Sequence, residues 1–585
     1  MSNASQPSPA LAPSDPAHWG MLAQVTLLVQ SLRNSGHWAK LGMLAGGIIL
    51  VIGANALGQV RLNSWQGAFY DALQQHDIGA FEQQLVVFLI IVSGLLFLVV
   101  AQTWLNEILK VRLRERLTRN LLDAWLKPKR VYLFAFTGDI SLNPDQRLQE
   151  DIRHLTELTA DLGVGLVQAS LLLGTFVGVL WVLSAQVVFD FGGQTYSIPG
   201  YMVWCALAYA TAGSWLTWRV GRPLIDLNEK RYAQEAEFRF SLVRVSEHGE
   251  AIALYRGEKG ERASLDTVLD PLLLTMRRLA GGLARLTWVT SGYGWLTIVA
   301  PILAAAPGYF SGNLTLGALM MVVGAFNQVQ SALRWFVDNF SRIADWRATL
   351  LRVVAIQHAL DVLETKDAAE GRIEIRDHPE NKLTLEKLQV YLPDSLYECA
   401  AFRLDTIDIA PGEHVLIVGQ PSAGKTIFFL ALAGLWQRGA GTILLPARTD
   451  LMFMPQRPYL PLGSLHAAVS YPAPVDRFGD EAVRAALTRV GLAHLTTMLD
   501  RENRWDKDLA LDEQQALAFA RLLLHAPKWV FIDDAASALD QDQRKLVMQI
   551  FGSDLAGSTV LSTARSKEDD GFYTRTLEIQ RCLRF

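Results

Sequence analysis

Long apolar stretches, separated by polar segments that are alternately free of basic residues and rich in them, dominate the first 340 residues. Runs at 41–60, 85–105, 162–184, 199–218, 286–307 and 316–337 are each close to the ~20 residues a helix needs to cross a bilayer, which predicts six spans. The connections 63–82, 188–198 and 309–315 contain no Lys or Arg. In contrast, 108–160 carries Lys110, Arg112, Arg114, Arg116, Arg119, Lys127, Lys129, Arg130, Arg147 and Arg153, and 219–280 is similarly basic. The positive-inside rule then places the basic connections and both termini in the cytoplasm and 63–82 on the far side. Both basic connections are too long for ordinary loops and are helical in pattern, so the spans are expected to continue as helices below the membrane.

After the last span the pattern changes. Asp361 to Arg372 is polar and reads as a linker, and from about 382 short apolar strands, turns and helices alternate as in an α/β domain. The expected organisation is a polar tail over 1–22, a six-span all-α membrane domain over 23–345, a linker over 346–381 and an α/β domain over 382–585. The tail is rich in Ser, Ala, Pro and Asn and lacks an apolar core behind a basic start, so it reads as a disordered segment and not a cleaved signal.

Composition sharpens the membrane reading. Half of the 585 residues are hydrophobic and the mean hydropathy is +0.19, which is too apolar for an ordinary soluble protein. The net charge of -4 and the lack of a basic, aromatic-interleaved patch outside the membrane-flanking loops exclude nucleic acid as an expected partner. Cys205, Cys399 and Cys582 show neither metal-ligand nor disulfide spacing and read as ordinary core or surface residues.

The chemistry lies in Gly419-Gln420-Pro421-Ser422-Ala423-Gly424-Lys425-Thr426-Ile427, which follows the apolar run His414–Val418 and precedes a helical one. Glycines at a strand-to-helix turn let backbone N–H groups cradle phosphates; Lys425 would reach the terminal phosphates and Thr426 the Mg2+ of bound ATP. About a hundred residues on, Lys528-Trp-Val-Phe-Ile-Asp533-Asp534 is an apolar strand ending in carboxylates that suit the same metal and an attacking water. Gln456 and Asp533 complete the expected metal set with Thr426, and Ser537-Ala-Leu-Asp540 follows the second carboxylate.

Six spans with long cytoplasmic extensions and a C-terminal P-loop domain resemble an ABC half-transporter of exporter-type fold. Met454-Pro-Gln456 resembles its Q-loop and Ser537–Asp540 its D-loop. Asn63-Ser-Trp-Gln-Gly-Ala-Phe-Tyr-Asp, Asn143-Pro-Asp-Gln-Arg147 and Gly249-Glu-Ala-Ile-Ala-Leu-Tyr-Arg-Gly-Glu258 look like the SbmA/BacA branch and its ATP-binding relatives, which are similar to the peroxisomal acyl-CoA half-transporters. The resemblance implies a second half-transporter as partner, a homodimer or a heterodimer, together with membrane lipid and a transported substrate. It also implies contact of the 249–258 segment with a nucleotide domain, and a bacterial inner-membrane location. Locally, Asn143 could serve only as an N-cap with Pro144 in the first turn. Asn327, Gln328, Gln330 and Arg334 in the last span are costly in a bilayer and are expected to face a wet cavity between subunits. Asn106 and Glu107 suit such a cavity or the membrane interface equally.

Against the family pattern, several positions depart. The signature segment, close to Leu-Ser-Leu-Gly-Glu-Gln-Gln in the family, reads Leu509-Ala510-Leu511-Asp512-Glu513-Gln514-Gln515 here. The resemblance assigns it to a helix N-terminus that closes over ATP bound to the other subunit. Asp512 is expected to cap its own helix and to repel the nucleotide. One like charge about 5 Å away at an effective dielectric near 20 costs roughly 3 kcal/mol, about two orders of magnitude in closure. Asp534 stands where the family has a catalytic glutamate, and Arg565 where it has a histidine. With Gln456, these form the expected catalytic set, one poorly suited to hydrolysis. Two other readings remain open: a carrier driven by a proton gradient with a regulatory nucleotide domain, and a non-transporting membrane scaffold or sensor.

Overall fold

The computed structural model describes residues 20–583 except 22, 25, 27–29, 31–37, 136–143, 186, 188, 192–193, 197, 366–371, 393–397, 421–422 and 565–570. The chain divides into two compact units, 1–128 with 134–362, and 129–133 with 363–585.

The first unit is built from long helices: α1 (Trp38–Gln74), α2 (Ile78–Trp125), α4 (Ile152–Ser184), α5 (Tyr201–Glu247), α7 (Glu258–Phe310), α8 (Leu316–Asp338) and α9 (Phe340–Thr365). Shorter pieces join them: α3 (Arg130–Phe134, whose first residues group with the second unit), a turn at Pro144–Gln146 leading into a π-turn at Arg147–Asp151, and α6 (Gly249–Tyr255). Among the described residues, five helical stretches are long and apolar enough to cross a membrane: α1, α2, Pro144–Ser184, α7 and α8. The stretch 199–218 lies at the start of α5, where Tyr201, Trp204, Tyr209, Trp215 and Trp218 lower its hydropathy, although such amphipathic rings suit membrane interfaces. α1 pairs with α2, α5 with α7, and α8 packs against α4 and α1. The centre is a cluster including Phe176, Leu180, Met202, Val322, Phe326 and Val329.

The connection expected over 63–82 is mostly helix, because α1 continues to Gln74 and α2 begins at Ile78. Its aromatic residues recur at helical spacing and close into a seam. Trp65 lies 5.0 Å from Phe69 and 4.7 Å from Phe88, and Phe69 lies 5.1 Å from Phe81, centroid to centroid. Each such pair adds ~0.5–1.5 kcal/mol beyond area burial, enough to hold a polar-flanked hairpin together. Asp77 caps α2 by accepting from the Ala80 N–H at 3.0 Å. At the start of α8, Thr315 is the N-cap and Asp71 of α1 accepts from the Gly317 N–H at 2.9 Å. A Cβ on Gly317 would lie 2.1 Å from the Gly67 carbonyl oxygen, so this crossing requires glycine.

Along the basic extensions, polar bonds tie α9 to α4 and to the π-turn that precedes it. Arg352 grips both Asp151 oxygens, Trp346 donates to Thr159 and Arg342 to Asp161. Asn106 also donates to Asp161, at 3.0 Å, whereas Glu107 pairs with Lys110 on the exposed side. The four polar residues of α8 do not share one setting. Asn327 is exposed and Gln328 reaches Gln59 at 3.4 Å, but Gln330 is buried inside the protomer, which corrects its expected cavity position. Its place one helical turn from Phe326 turns it toward the core. Arg334 stands over the Tyr293 ring at 5.8 Å. Asn143 lies outside the described residues, and Pro144 opens the following helical turn.

The second unit carries a ten-stranded mixed sheet. Its strands are β3 (Glu374–Asp377), β4 (Leu383–Tyr391), β5 (Glu398–Phe402), β6 (Thr406–Ile409), β7 (His414–Val418), β8 (Gly439–Leu445), β9 (Leu451–Met454), β12 (Trp529–Asp533), β13 (Thr559–Ala564) and β14 (Arg575–Leu583). The order is β3-β8-β4-β5-β14-β7-β13-β12-β9, with β6 beside β4. β14 spans both halves: its first part is parallel to β7 and its second antiparallel to β5. The apolar runs His414–Val418 and Trp529–Asp533 sit in the parallel region, where burial on both faces favours continuous hydrophobic strands. Two short antiparallel pairs, the hairpin β1–β2 (Phe189–Phe191, Gln194–Tyr196) and the long-range pair β10–β11 (Gly463–Ser464, Glu502–Asn503), lie outside this sheet. The main helices of the unit are α10 (Lys425–Leu432), α11 (Leu465–Ser470), α12 (Asp480–Arg489), α13 (Leu511–His525) and α14 (Gln541–Met548).

The cysteines depart from expectation. Cys399 and Cys582 face each other in register across β5 and β14 and form a disulfide, leaving Cys205 as the free cysteine. Sequence spacing hides this pair, because the two cysteines are 183 positions apart and are brought together only by the sheet.

Candidate functional site

The parallel strands β7, β13 and β12 are neighbours, so the residues following each meet at one sheet edge, where open α/β sheets bind ligands. After β7 the chain turns through Gly419 and enters α10 at Lys425. Gly424 precedes it with φ 90°, and a Cβ there would lie 2.6 Å from the Ala400 Cβ, so conformation and space both demand glycine. The N-terminus of α10 therefore points into the turn. Lys425 Nζ donates to the Gly419 carbonyl at 2.6 Å and to the Gln420 carbonyl at 3.3 Å, folding over the loop it would share with phosphate. Thr426 is exposed in the first turn, while Ala423 is buried and Ile427 packs against the core that includes Phe428. Pro421 and Ser422 lie outside the described residues.

β12 delivers the carboxylates. Asp533 is buried, and its Oδ1 accepts from the Thr563 hydroxyl on β13 at 2.7 Å. Asp534 follows at φ 51°, a left-handed conformation costly for a residue with a Cβ. The turn is held by Ser537, whose hydroxyl donates to the Asp534 carbonyl at 2.8 Å. Gln456 Nε2 approaches Asp534 Oδ2 at 3.5 Å, so these two expected catalytic groups do meet. Arg565, the third, lies outside the described residues. Asp534 also lines a cavity of about 390 Å³ with Ser562, Thr563 and Arg544.

Ala510, Leu511, Asp512 and Glu513 begin α13. The expected role of Asp512 as cap is corrected: Ala510 occupies the N-cap with no side-chain bond, and Asp512 lies one turn position inside the helix. Capping falls instead to Glu513, which accepts from the Ala510 N–H at 3.1 Å and pairs with His494 at 3.0 Å. Glu513 can do this because its longer side chain reaches back from the third helical position. Asp512 still places a negative charge in the first turn.

Gln515 joins the site beyond the expected set. Fully buried on α13, it donates from Nε2 to the Gln456 carbonyl at 3.0 Å and accepts at Oε1 from the Ala538 N–H at 3.0 Å. One amide thus joins the signature helix to the segments around Gln456 and Ser537–Asp540. Its signal in sequence is its place at the end of the signature string Leu509–Gln515.

Residues 29–307 match the family model for ABC transporter transmembrane region 2, and 404–537 match that of the ABC transporter domain. An ABC transporter ATP-binding protein of Synechocystis is 30% identical over 93% of this chain and 80% of its own length. The chain belongs to the ABC transporters. The inner membrane ABC transporter ATP-binding protein YddA of Escherichia coli is 29% identical, over 88% of the chain and 90% of YddA. The chloroplastic ABC transporter D family member 2 of Arabidopsis thaliana is 29% identical over 87% and 79%. A bacterial Atm1-family ABC exporter with ATP bound shares the fold, with a TM-score of 0.66 at 18% identity, over 90% of this chain and 91% of that one. This ABC transporter is therefore a half-transporter, with a helical multi-pass membrane domain followed by an ATP-binding domain.

The oxygens available for Mg2+ fit the way that ion is held beside nucleotides: few protein ligands, completed by phosphates and water. Thr426 presents an exposed hydroxyl and Asp533 a carboxylate, whereas no group of three or more His, Cys, Asp or Glu among the described residues could hold a metal by itself.

Proposed function

We propose that this ABC transporter is a dimeric carrier of the bacterial inner membrane that binds ATP with Mg2+ and hydrolyses it slowly or not at all. The observation that carries the reading is the contrast between an intact phosphate cradle, Gly424 and Lys425 at the start of α10, and a signature helix that opens with Ala510 and Asp512. In this reading Gly419–Ile427 holds the phosphates and Lys425 the terminal charge. Thr426, Gln456 and Asp533 hold Mg2+, Asp534 with Gln456 and Arg565 addresses the water, and Ala510–Glu513 closes from the other subunit. A helix N-terminus attracts anions, yet without a serine hydroxyl and with the Asp512 carboxylate this one offers weaker closure than the family pattern.

Both termini are placed in the cytoplasm and the Trp65–Phe88 aromatic hairpin on the far side, following the distribution of basic residues. The exposed tip at α6, where Leu254 and Tyr255 project, supports its assignment to contact with a nucleotide domain. The membrane-half motifs support membership of the SbmA/BacA-like branch, with a homodimer as the working assembly. Transport into vesicles with ATP and with a proton gradient applied separately tests the reading: uptake under ATP supports it, and uptake under the gradient alone transfers the function to a gradient-driven carrier.

A further inference from the structure

We propose that Cys399 and Cys582 are a reversible dithiol–disulfide site that sets the nucleotide affinity of the P-loop. The inference rests on reading Gly419–Ile427 as the nucleotide cradle. The two strands that carry the cysteines are the strands that wall this loop. A Cβ on Gly419 would lie 2.7 Å from the Ile579 carbonyl oxygen, three residues before Cys582 on β14. A Cβ on Gly424 would lie 2.6 Å from the Ala400 Cβ, one residue after Cys399 on β5. The first and last glycines of the cradle thus rest on the pair that the disulfide ties in register.

Access is asymmetric. Cys399 is fully buried whereas Cys582 is partly open, so exchange begins at Cys582. The Cys582 thiolate attacks a low-molecular-weight disulfide, forming a mixed disulfide and expelling one thiolate. The Cys399 thiolate then attacks the Cys582 sulfur and expels the second. Two protein thiols become one disulfide, the small disulfide becomes two thiols, and the cysteine protons pass to the thiolates released. Reduction by two small thiols runs the same steps backwards. A disulfide in a domain on the cytoplasmic side meets a reducing pool, where such pairs act as redox-responsive sites more often than as permanent staples. Tied, β5 and β14 hold the backs of Gly419 and Gly424 at fixed separation; untied, the two strands can shear, and a less preorganised loop binds phosphate more weakly.

The test uses the full-length protein in detergent, equilibrated in glutathione buffers of graded thiol-to-disulfide ratio. A mass-tagged maleimide counts thiols, and a fluorescent ATP analogue reports affinity. With Cys205 as the third cysteine, the expected result is three tags in reducing buffer and one in oxidising buffer, with the analogue bound about fivefold more tightly in the oxidised state. A Cys399→Ser, Cys582→Ser double variant is expected to show one affinity in every buffer. Three tags throughout overturn the site, and one tag with unchanged affinity overturns its coupling to nucleotide. Analogue binding in neither state overturns the coupling through failure of the nucleotide reading, and the tag count then reports separately on whether the pair forms.

Discussion

Replacing Gln515 by Leu removes the one amide that bridges α13 to the Gln456 carbonyl and the Ala538 N–H. Both bonds are 3.0 Å long and the side chain is fully buried. A typical bond contributes ~0.5–1.5 kcal/mol, and a buried partner left without one costs ~1–3 kcal/mol. Gln456 is exposed, so its carbonyl recovers water, while the Ala538 N–H is half-buried and recovers less. The expected loss is about 2–4 kcal/mol, or roughly 5–15 °C in the unfolding transition of a domain this size. Thermal unfolding of the purified transporter, followed by circular dichroism, measures the shift. Hydrogen exchange at Ala538 is the more specific readout, since that amide loses its acceptor while the remainder of α13 keeps its helical bonds. A Gln515→Leu variant with unchanged melting and unchanged protection at Ala538 would refute the bridge. Gln515→Glu keeps the acceptor for Ala538 but loses the donor to Gln456, and its Ala538 protection is expected to survive.

Lys425→Ala is expected to weaken binding of a fluorescent ATP analogue about 10- to 150-fold, the equivalent of one charged contact of ~1.5–3 kcal/mol; equal affinities would exclude a phosphate contact by this lysine. Gly424→Ala must accommodate φ 90° and a methyl 2.6 Å from Ala400, and with roughly 1–2 kcal/mol of backbone strain it is expected to bind the analogue several-fold more weakly; unchanged binding would show that the loop relaxes freely. Cysteines placed near Met1 and Phe585 are expected to resist an impermeant thiol reagent in intact cells, while one in 75–77 reacts; labelling near Phe585 would reverse the topology.

The membrane domain was legible because a bilayer demands uninterrupted apolar length, a property of local sequence. The P-loop was legible for a similar reason: its residues are contiguous, and the flanking strand and helix announce themselves by burial pattern. Where position depends on distant pairing, the sequence was silent. Cys399 acquires its partner only when β14 folds back beside β5, and Gln515 acquires its two only when α13 packs under two loops far away in the chain. Asp71 looks like a loop residue until the aromatic seam extends α1 and carries it to the start of α8. Asp512 suggests a cap by residue type, since Asp is a strong capping residue, but capping is set by where the chain enters the helix, and entry occurs two residues earlier at Ala510.

The central claim, a cradle that binds ATP beside a signature that opposes its use, is tested most directly by the ATP turnover of purified dimers. The wild type is compared with Asp534→Glu and with the combination Ala510→Ser, Asp512→Gly, Asp534→Glu and Arg565→His. The account predicts very low turnover for the wild type and little gain from Asp534→Glu, because no water can be aligned in a site that does not close. The combination is predicted to rise well beyond the product of the single effects, since groups acting as a unit are non-additive. Robust turnover by the wild type would contradict the account and make an ordinary ATP-driven pump the better description.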